Sequence, residues 1–120
     1  MNIEQLHNYC LNKKGVTEDF PFDEDTLVFK VLGKMYALIG LKKWEAGEQA
    51  INLKCDPDYA EELRAEYSSI RAGYHMSKKH WNTLYIHEGG LSTKLICELI
   101  DHSYNMVVNG MTKKMRDSLQ

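Results

Sequence analysis

Hydrophobic positions near the start of the chain follow a helical period. Ile3, Leu6 and Cys10 recur at steps of three and four residues, and Gly15 follows a basic turn. This pattern, closed by a glycine, predicts a helix over about 3–13.

The next segment, 17–25, is polar and irregular. It holds five acidic residues around Phe20-Pro21-Phe22. Proline disfavours a regular helix, and so much charge disfavours a central strand. We therefore expect a loop that is held in place by its two aromatic side chains.

Further along, the period of the hydrophobic positions becomes two. Runs of β-forming residues predict strands at 27–31 and 35–41, joined by a short turn that contains Gly33. A polar connection around Trp44 leads to a third predicted strand at 50–54. Together these strands form an antiparallel meander.

A second helix and a fourth strand are predicted in the middle of the chain. Asp56 and Pro57 are typical of a helix N-cap and first turn, and the helix should run to about Tyr67. Residues 68–80 have no strong periodicity, whereas 81–86 alternates like a strand.

The last third of the chain is helical in pattern. Ser92 is the expected cap of a long helix that stops at Asn109-Gly110, and a short helix should follow at about 112–119. The sum is a single α+β domain over 1–120, with helices packed on one face of an antiparallel sheet.

Composition and charge narrow the function classes. The chain is 43% hydrophobic and 27% charged, which is typical of a folded, soluble protein. Its 15 basic and 17 acidic residues give a net charge of −2. Any binding to nucleic acid or another polyanion must therefore be local.

The cysteines and the apolar runs indicate the compartment. Cys10, Cys55 and Cys97 are odd in number and far apart, so we expect buried thiols without disulfides. The start of the chain lacks a basic and apolar leader, and no run reaches the roughly 18 apolar residues of a membrane span. We expect a cytoplasmic protein with no membrane partner.

The segment 71–81 has the highest density of chemistry in the chain. Cations can bind phosphate, and aromatic rings offer stacking surfaces for bases. The candidate nucleic-acid or anion-binding residues are Arg71, Tyr74, His75, Lys78, Lys79, His80 and Trp81. In the alternative interpretation the aromatic side chains fill the core, the lysines form an ordinary solvated turn, and the segment only braces the fold.

Catalytic and metal sites have little support. His75 and His80 are five residues apart and have no companion ligand at a suitable spacing, so we expect neither a metal nor a cofactor. Asp101, His102 and Ser103 are helix neighbours that point in different directions and cannot form a triad. His102 and Ser103 are instead expected to tie the last helix to segment 71–81, and we do not expect an enzyme.

Several groups of residues together resemble the MmcQ/YjbR family of small bacterial proteins, over residues 1 to about 109. They are Tyr9-Cys10 with Lys14-Gly15, Phe20-Pro21-Phe22, Val28-Phe29-Lys30-Val31, Gly33-Lys34-Met35, Leu53-Lys54-Cys55-Asp56-Pro57, Gly73-Tyr74-His75-Met76 with Lys78-Lys79-His80-Trp81-Asn82-Thr83, and Leu99-Ile100-Asp101-His102-Ser103-Tyr104. The resemblance implies a CyaY-like fold with a double-wing motif and a DNA-binding role.

Two functional hypotheses follow. In the first, a DNA-binding or regulatory module places Arg71, Lys78, Lys79 and His80 on phosphates while Tyr74 or Trp81 packs against a base. Three phosphate contacts give a salt slope of only about −3 on duplex DNA, so the binding is weak. In the second, the segment binds an acidic protein or a small anion without catalysis. The sequence does not specify the oligomeric state.

Overall fold

A computed structural model describes residues 1–73 and 76–119 as an α+β fold built on a six-stranded antiparallel sheet. The strands are β1 (Val16–Asp19), β2 (Thr26–Val31), β3 (Lys34–Gly40), β4 (Ala50–Lys54), β5 (Ile70–Ala72) and β6 (Trp81–Tyr85). The helices are α1 (Ile3–Leu11), α2 (Leu41–Glu45), α3 (Pro57–Glu66), α4 (Thr93–Asn109) and α5 (Lys113–Asp117). A 3-10 turn at Ile86–Glu88 follows β6.

Most predicted elements are confirmed. The strand order is β1-β2-β3-β4-β6-β5, and the central β2-β3-β4 meander is the predicted one. The predicted caps also form: the side chains of Asp56 and Ser92 accept hydrogen bonds from the backbone N–H groups of Tyr59 and Leu95.

The helices cover one face of the sheet. Alternate strand residues such as Phe29, Ile51 and Leu84 point to that face and join a single core with the helices. From the helices, Leu6, Leu63 and Ile100 enter the same core. Within residues 1–73 and 76–119, the opposite face carries no helix, and the candidate site lies on that face.

Tyr36 marks an irregularity in the sheet. Phe29 pairs with Ala37 and Lys30 pairs with Met35, so Tyr36 is an extra residue on β3. The bulge turns its ring into the helical core, where the hydroxyl donates a hydrogen bond to the carbonyl oxygen of Cys10.

The predicted loop at 17–25 is wrong in its first part, because 16–19 forms the edge strand β1. An edge strand is paired on one side only, so it tolerates exposed charged residues that a central strand would not. The expected aromatic anchors are also wrong, since Phe20 and Phe22 are 46% and 62% exposed.

Two other short elements had no sequence pattern of their own. The connection around Trp44 is the helix α2, which buries the indole ring in the core. Within 68–80, three residues form the strand β5 at the other edge of the sheet. Both elements are too short to show a period and are fixed by tertiary packing.

The predicted tie between α4 and segment 71–81 is also wrong. His102 accepts a hydrogen bond from the backbone N–H of Asp56 at 3.1 Å. Ser103 bonds the backbone of Tyr36 and Lys54. Both side chains therefore fix α4 to the sheet and to the start of α3, because α4 crosses β3 and β4 rather than β5.

Candidate functional site

The helix-free face of the sheet, called the open face below, presents one row of aligned side chains. The strand registers place Val28, Leu38, Asn52, Thr83 and Arg71 side by side on β2, β3, β4, β6 and β5. The row is apolar on β2 and β3, uncharged polar on β4 and β6, and cationic on the β5 edge.

A groove of about 790 Å³ lies over this row. Leu38, Met35 and Met76 give it an apolar part, and the exposed ring of Phe22 stands at one side. Its polar lining includes Asn52, Thr83, Arg71, Tyr85 and Glu88. A groove of this size and mixed lining suits a small organic group with polar edges.

Arg71 forms the wall of the groove on the β5 side. Its guanidinium donates two hydrogen bonds to Glu88, at 2.9 and 2.7 Å, and lies 3.9 Å from the centre of the Tyr85 ring. The ion pair lowers the pKa of Glu88. The guanidinium is therefore a fixed flat surface, stacked on one side and half-exposed, rather than a mobile cation.

The floor of the groove contains one polar pair. Thr83 donates its hydroxyl hydrogen to Asn52 Oδ1 at 2.5 Å. Among the described residues, Asn52 Nδ2 has no hydrogen-bond partner. This leaves an amide donor beside a hydroxyl acceptor, both facing the groove.

Trp81 lies on the same face as Thr83, beside the groove, because the two residues are two positions apart on β6. It is 9% exposed and packs with Val28 and Leu38, and Met35 and Met76 lie against them. Gly73 sits against it, since a Cβ on that glycine would be 2.9 Å from Trp81 Cβ. Trp81 is part of the floor's packing and not an exposed stacking ring.

Lys78, Lys79 and His80 lie in an exposed turn just before β6. The turn is held by backbone contacts, because His80 O accepts from the N–H of Cys55 at 2.8 Å and Lys78 O accepts from Arg64 at 3.2 Å. The three side chains are thus displayed from a fixed backbone.

Other cations lie at the same end of the sheet as this turn, where β2 and β4 end and β3 and β6 begin. We call the exposed or half-exposed cations at this end the basic ridge: Lys14, Lys34, Lys54, Lys78, Lys79 and His80. Within residues 1–73 and 76–119, none of these side chains forms an ion pair. The ridge crosses four strand spacings, about 19 Å.

The opposite end of the sheet is acidic. Its turns and short elements carry six acids against Lys42 and Lys43: Asp23, Glu24, Asp25, Glu45, Glu48 and Glu88. Asp23 accepts hydrogen bonds from the backbone N–H groups of Thr26 and Asp25, which lowers its pKa. The open face therefore has a basic end and an acidic end, and the groove reaches the acidic end, where Asp25, Glu48 and Glu88 line it.

The predicted site residues do not form one cluster. Arg71 lines the groove, Trp81 supports its floor, and Lys78, Lys79 and His80 stand on the ridge. Tyr74 and His75 lie outside the described residues. The sequence interpretation missed Asn52, Thr83 and Tyr85, although the alternation in β4 and β6 already placed them on the face opposite Ile51, Leu53 and Leu84.

The thiols and possible metal ligands lie elsewhere. Burial raises the pKa of Cys10 to about 12 and that of Cys55 to about 11, so both thiols stay protonated. Cys97 is half-buried, and all three cysteines are free. In the part of the chain that the structure describes, no three histidine, cysteine or acidic side chains are grouped as metal ligands would be.

Family comparison finds a match over most of the chain. The family model described as YjbR matches residues 11–106. An Escherichia coli K12 protein, "Uncharacterized protein YjbR", is 33% identical over 119 residues, covering 99% of this chain and 98% of that relative. The E. coli O157:H7 "Uncharacterized protein YbdF" is 40% identical over 95 residues, 79% of this chain and 75% of its own length.

Solved structures share the fold. A crystal structure of a Deinococcus radiodurans protein described as a DUF419 domain superposes with a TM-score of 0.87 at 40% identity, covering 98% of this chain and 87% of that one. A Pseudomonas syringae protein superposes with a TM-score of 0.73 at 31% identity, covering 88% and 98%. Among the described residues, none of the helices has the length and apolar content needed to span a bilayer.

Proposed function

The chain belongs to the YjbR family, and from that premise we propose that it is a nucleic-acid-binding module whose contact surface is the basic ridge. The family resemblance identified from the sequence is thereby confirmed. The double-wing, CyaY-like description of the fold stays a prediction.

The observation that carries the proposal is the alignment of the ridge along one end of the sheet. Lys34, Lys54, Lys78 and Lys79 come from three separate stretches of sequence, and the strand registers bring them to one end. These four lysines span two strand spacings, about 10 Å, and Lys14 extends the ridge to about 19 Å, a length that matches an extended polyanion better than a compact one. The acids at the far end repel phosphate, so the phosphate backbone of the nucleic acid is restricted to the ridge.

Arg71 contributes less to phosphate binding than the sequence predicts. Glu88 already accepts two hydrogen bonds from its guanidinium, so a phosphate would have to displace that carboxylate. Lys78 and Lys79 have no such competitor among the described residues. Lys78 and Lys79 are therefore the main phosphate contacts.

We also propose that the protein binds without catalysis and that it acts in the cytoplasm. Three free thiols, two of them buried and protonated, support the cytoplasmic location.

Fluorescence anisotropy with a labelled oligonucleotide at low salt tests this proposal. Lys78→Ala with Lys79→Ala is expected to weaken binding, because it removes two ridge charges without touching the core. The matched control is Lys42→Ala with Lys94→Ala, which removes two lysines at the acidic end and on α4. Equal weakening by both pairs, or no binding by the wild-type protein, would contradict the proposal.

The second candidate is a site on the same ridge for a small anion or an acidic protein, and the exposed neighbours Lys78 and Lys79 favour it. The same titration distinguishes the two. If inorganic phosphate or an acidic peptide competes fully at concentrations equal in charge to the oligonucleotide, the ridge is a general anion site and not a nucleic-acid surface.

A further inference from the structure

We infer that the groove of the open face holds one unstacked nucleobase of a single strand whose backbone lies on the basic ridge. This inference rests on the proposed function and adds to it the class of nucleic acid that is bound.

The shape and lining of the groove fit a flat, partly apolar group. Leu38, Met35 and Met76 line one side, and Phe22 is exposed beside them. A base that is paired within a duplex presents only its edges, whereas an unstacked base presents its whole face. An open apolar sheet face therefore favours the unpaired base.

The guanidinium plane of Arg71 gives the groove a stacking surface. The guanidinium of Arg71 lies on Tyr85 and is held in plane by two hydrogen bonds to Glu88, while its side chain stays 48% exposed. Guanidinium planes stack with bases in proteins that bind single strands. Glu88 neutralises the charge of Arg71, so what remains useful for binding is the flat surface.

Asn52 and Thr83 form the polar pair in the floor of the groove. Asn52 Nδ2 is a donor without a partner in the described chain, and Thr83 Oγ1 has acceptor capacity left after it donates to Asn52. Adjacent donor and acceptor groups match the edge of a nucleobase, as they match any flat heterocycle with a similar edge. A purely apolar ligand would leave both groups unsatisfied.

The groove lies close to the ridge. Lys54 and Trp81 lie two strand positions from Asn52 and Thr83, which corresponds to about 7 Å along the strands. That spacing lets a base enter the groove while its own phosphate reaches the cations. Asp25, Glu48 and Glu88 line the part of the groove farthest from the ridge and fix the orientation, since they repel the phosphate from that end.

The test compares four ligands at constant salt: a single-stranded oligonucleotide, its duplex, an abasic strand of the same length, and a free mononucleotide. We expect the single strand to bind about fivefold or more tighter than the duplex and the abasic strand, given the usual contribution of base stacking. Arg71→Lys, which keeps the charge but loses the plane, and Asn52→Leu should each reduce this preference and leave duplex binding unchanged.

A readout without substitutions guards against variants that fold poorly. In the wild-type protein, the side-chain amide resonances of Asn52 should shift with the single strand and not with the abasic strand. Thermal unfolding of Arg71→Lys and Asn52→Leu shows whether each variant is folded.

The outcomes separate this inference from the function on which it rests. Equal affinity for single, duplex and abasic strands, with no shift at Asn52, overturns the inference and leaves the proposed function standing. No binding to any strand overturns both. If the mononucleotide binds as tightly as the single strand, the proposal of a polymeric ligand is overturned and the groove is assigned to a free heterocyclic ligand.

Discussion

At the scale of single residues, the contacts of a side chain decide which of its properties are available. Arg71 and Lys79 are both permanent cations, yet Arg71 is paired with Glu88 and stacked on Tyr85, whereas Lys79 is exposed in a turn. A solvent-exposed ion pair contributes little to stability. Its effect here is to hold the guanidinium plane in the groove wall.

His102 gives a prediction about pH at the same scale. Burial lowers its pKa from 6.5, the Asp56 charge opposes this only in part, and the neutral ring accepts a hydrogen bond from the Asp56 N–H. Because the folded pKa lies below the unfolded one, the stabilisation is complete above pH 6.5 and is lost as the pH falls through the folded pKa.

The measurement is urea unfolding of the wild-type protein and of His102→Gln at pH 7.5 and at pH 5. We expect the wild type to be the more stable of the two at pH 7.5 and this advantage to shrink at pH 5. His87→Gln, at an exposed position, is the control. An advantage that is the same at both pH values would mean that His102 does not titrate in the fold.

At the scale of elements, one hydroxyl joins α4 to the sheet next to the bulge. Ser103 donates to the carbonyl of Tyr36 at 2.6 Å and accepts from the N–H of Lys54 at 2.8 Å. The β3-β4 ladder includes Ala37 and Leu38 but not Tyr36. The Ser103 hydroxyl therefore replaces a backbone hydrogen bond that the bulge prevents.

Ser103→Ala should consequently be costly, although it removes only one buried hydroxyl group. It leaves two backbone groups without partners in the interior, so we expect a loss of about 2–4 kcal/mol in the free energy of unfolding. Ser118→Ala is the matched control, since that hydroxyl bonds only a carbonyl within α5, and it should stay within about 0.5 kcal/mol. Chemical denaturation measures both, and equal losses would show that the hydroxyl does not bridge the strands.

At the scale of the whole molecule, the topology turns a nearly neutral chain into a polar one. The net charge of −2 combines a basic ridge at one end of the sheet with six acids at the other. Neither end is a continuous block in the sequence. Steering of a charged ligand depends on this separation rather than on the net charge.

The salt dependence of oligonucleotide binding reports the number of ridge contacts. If Lys34, Lys54, Lys78 and Lys79 each neutralise one phosphate of a single strand, log K should fall with log salt at a slope of about −3. Titrations between about 50 and 200 mM salt measure this slope. A slope near zero would show that phosphates are not contacted, and one near −10 would require a larger surface than the ridge.

Local patterns in the sequence determined most of the elements. Strand alternation, helical period and caps such as Asp56 and Ser92 are encoded within a few residues, because each depends on the backbone and on burial of one face. The free thiols and the family resemblance were accessible for the same reason. The elements that the sequence did not reveal, β1, β5 and α2, are short and depend on neighbours that are distant in sequence.

Only the tertiary structure decided how the chemistry of segment 71–81 is divided. Strand pairing sends Arg71 to the groove and Trp81 to the packed surface beside it, and leaves Lys78 and Lys79 on the ridge with Lys34 and Lys54. It also brings Asn52 next to Thr83, 31 residues away. Register between strands is a long-range property, set by which faces are buried together, so no local pattern could have located the groove.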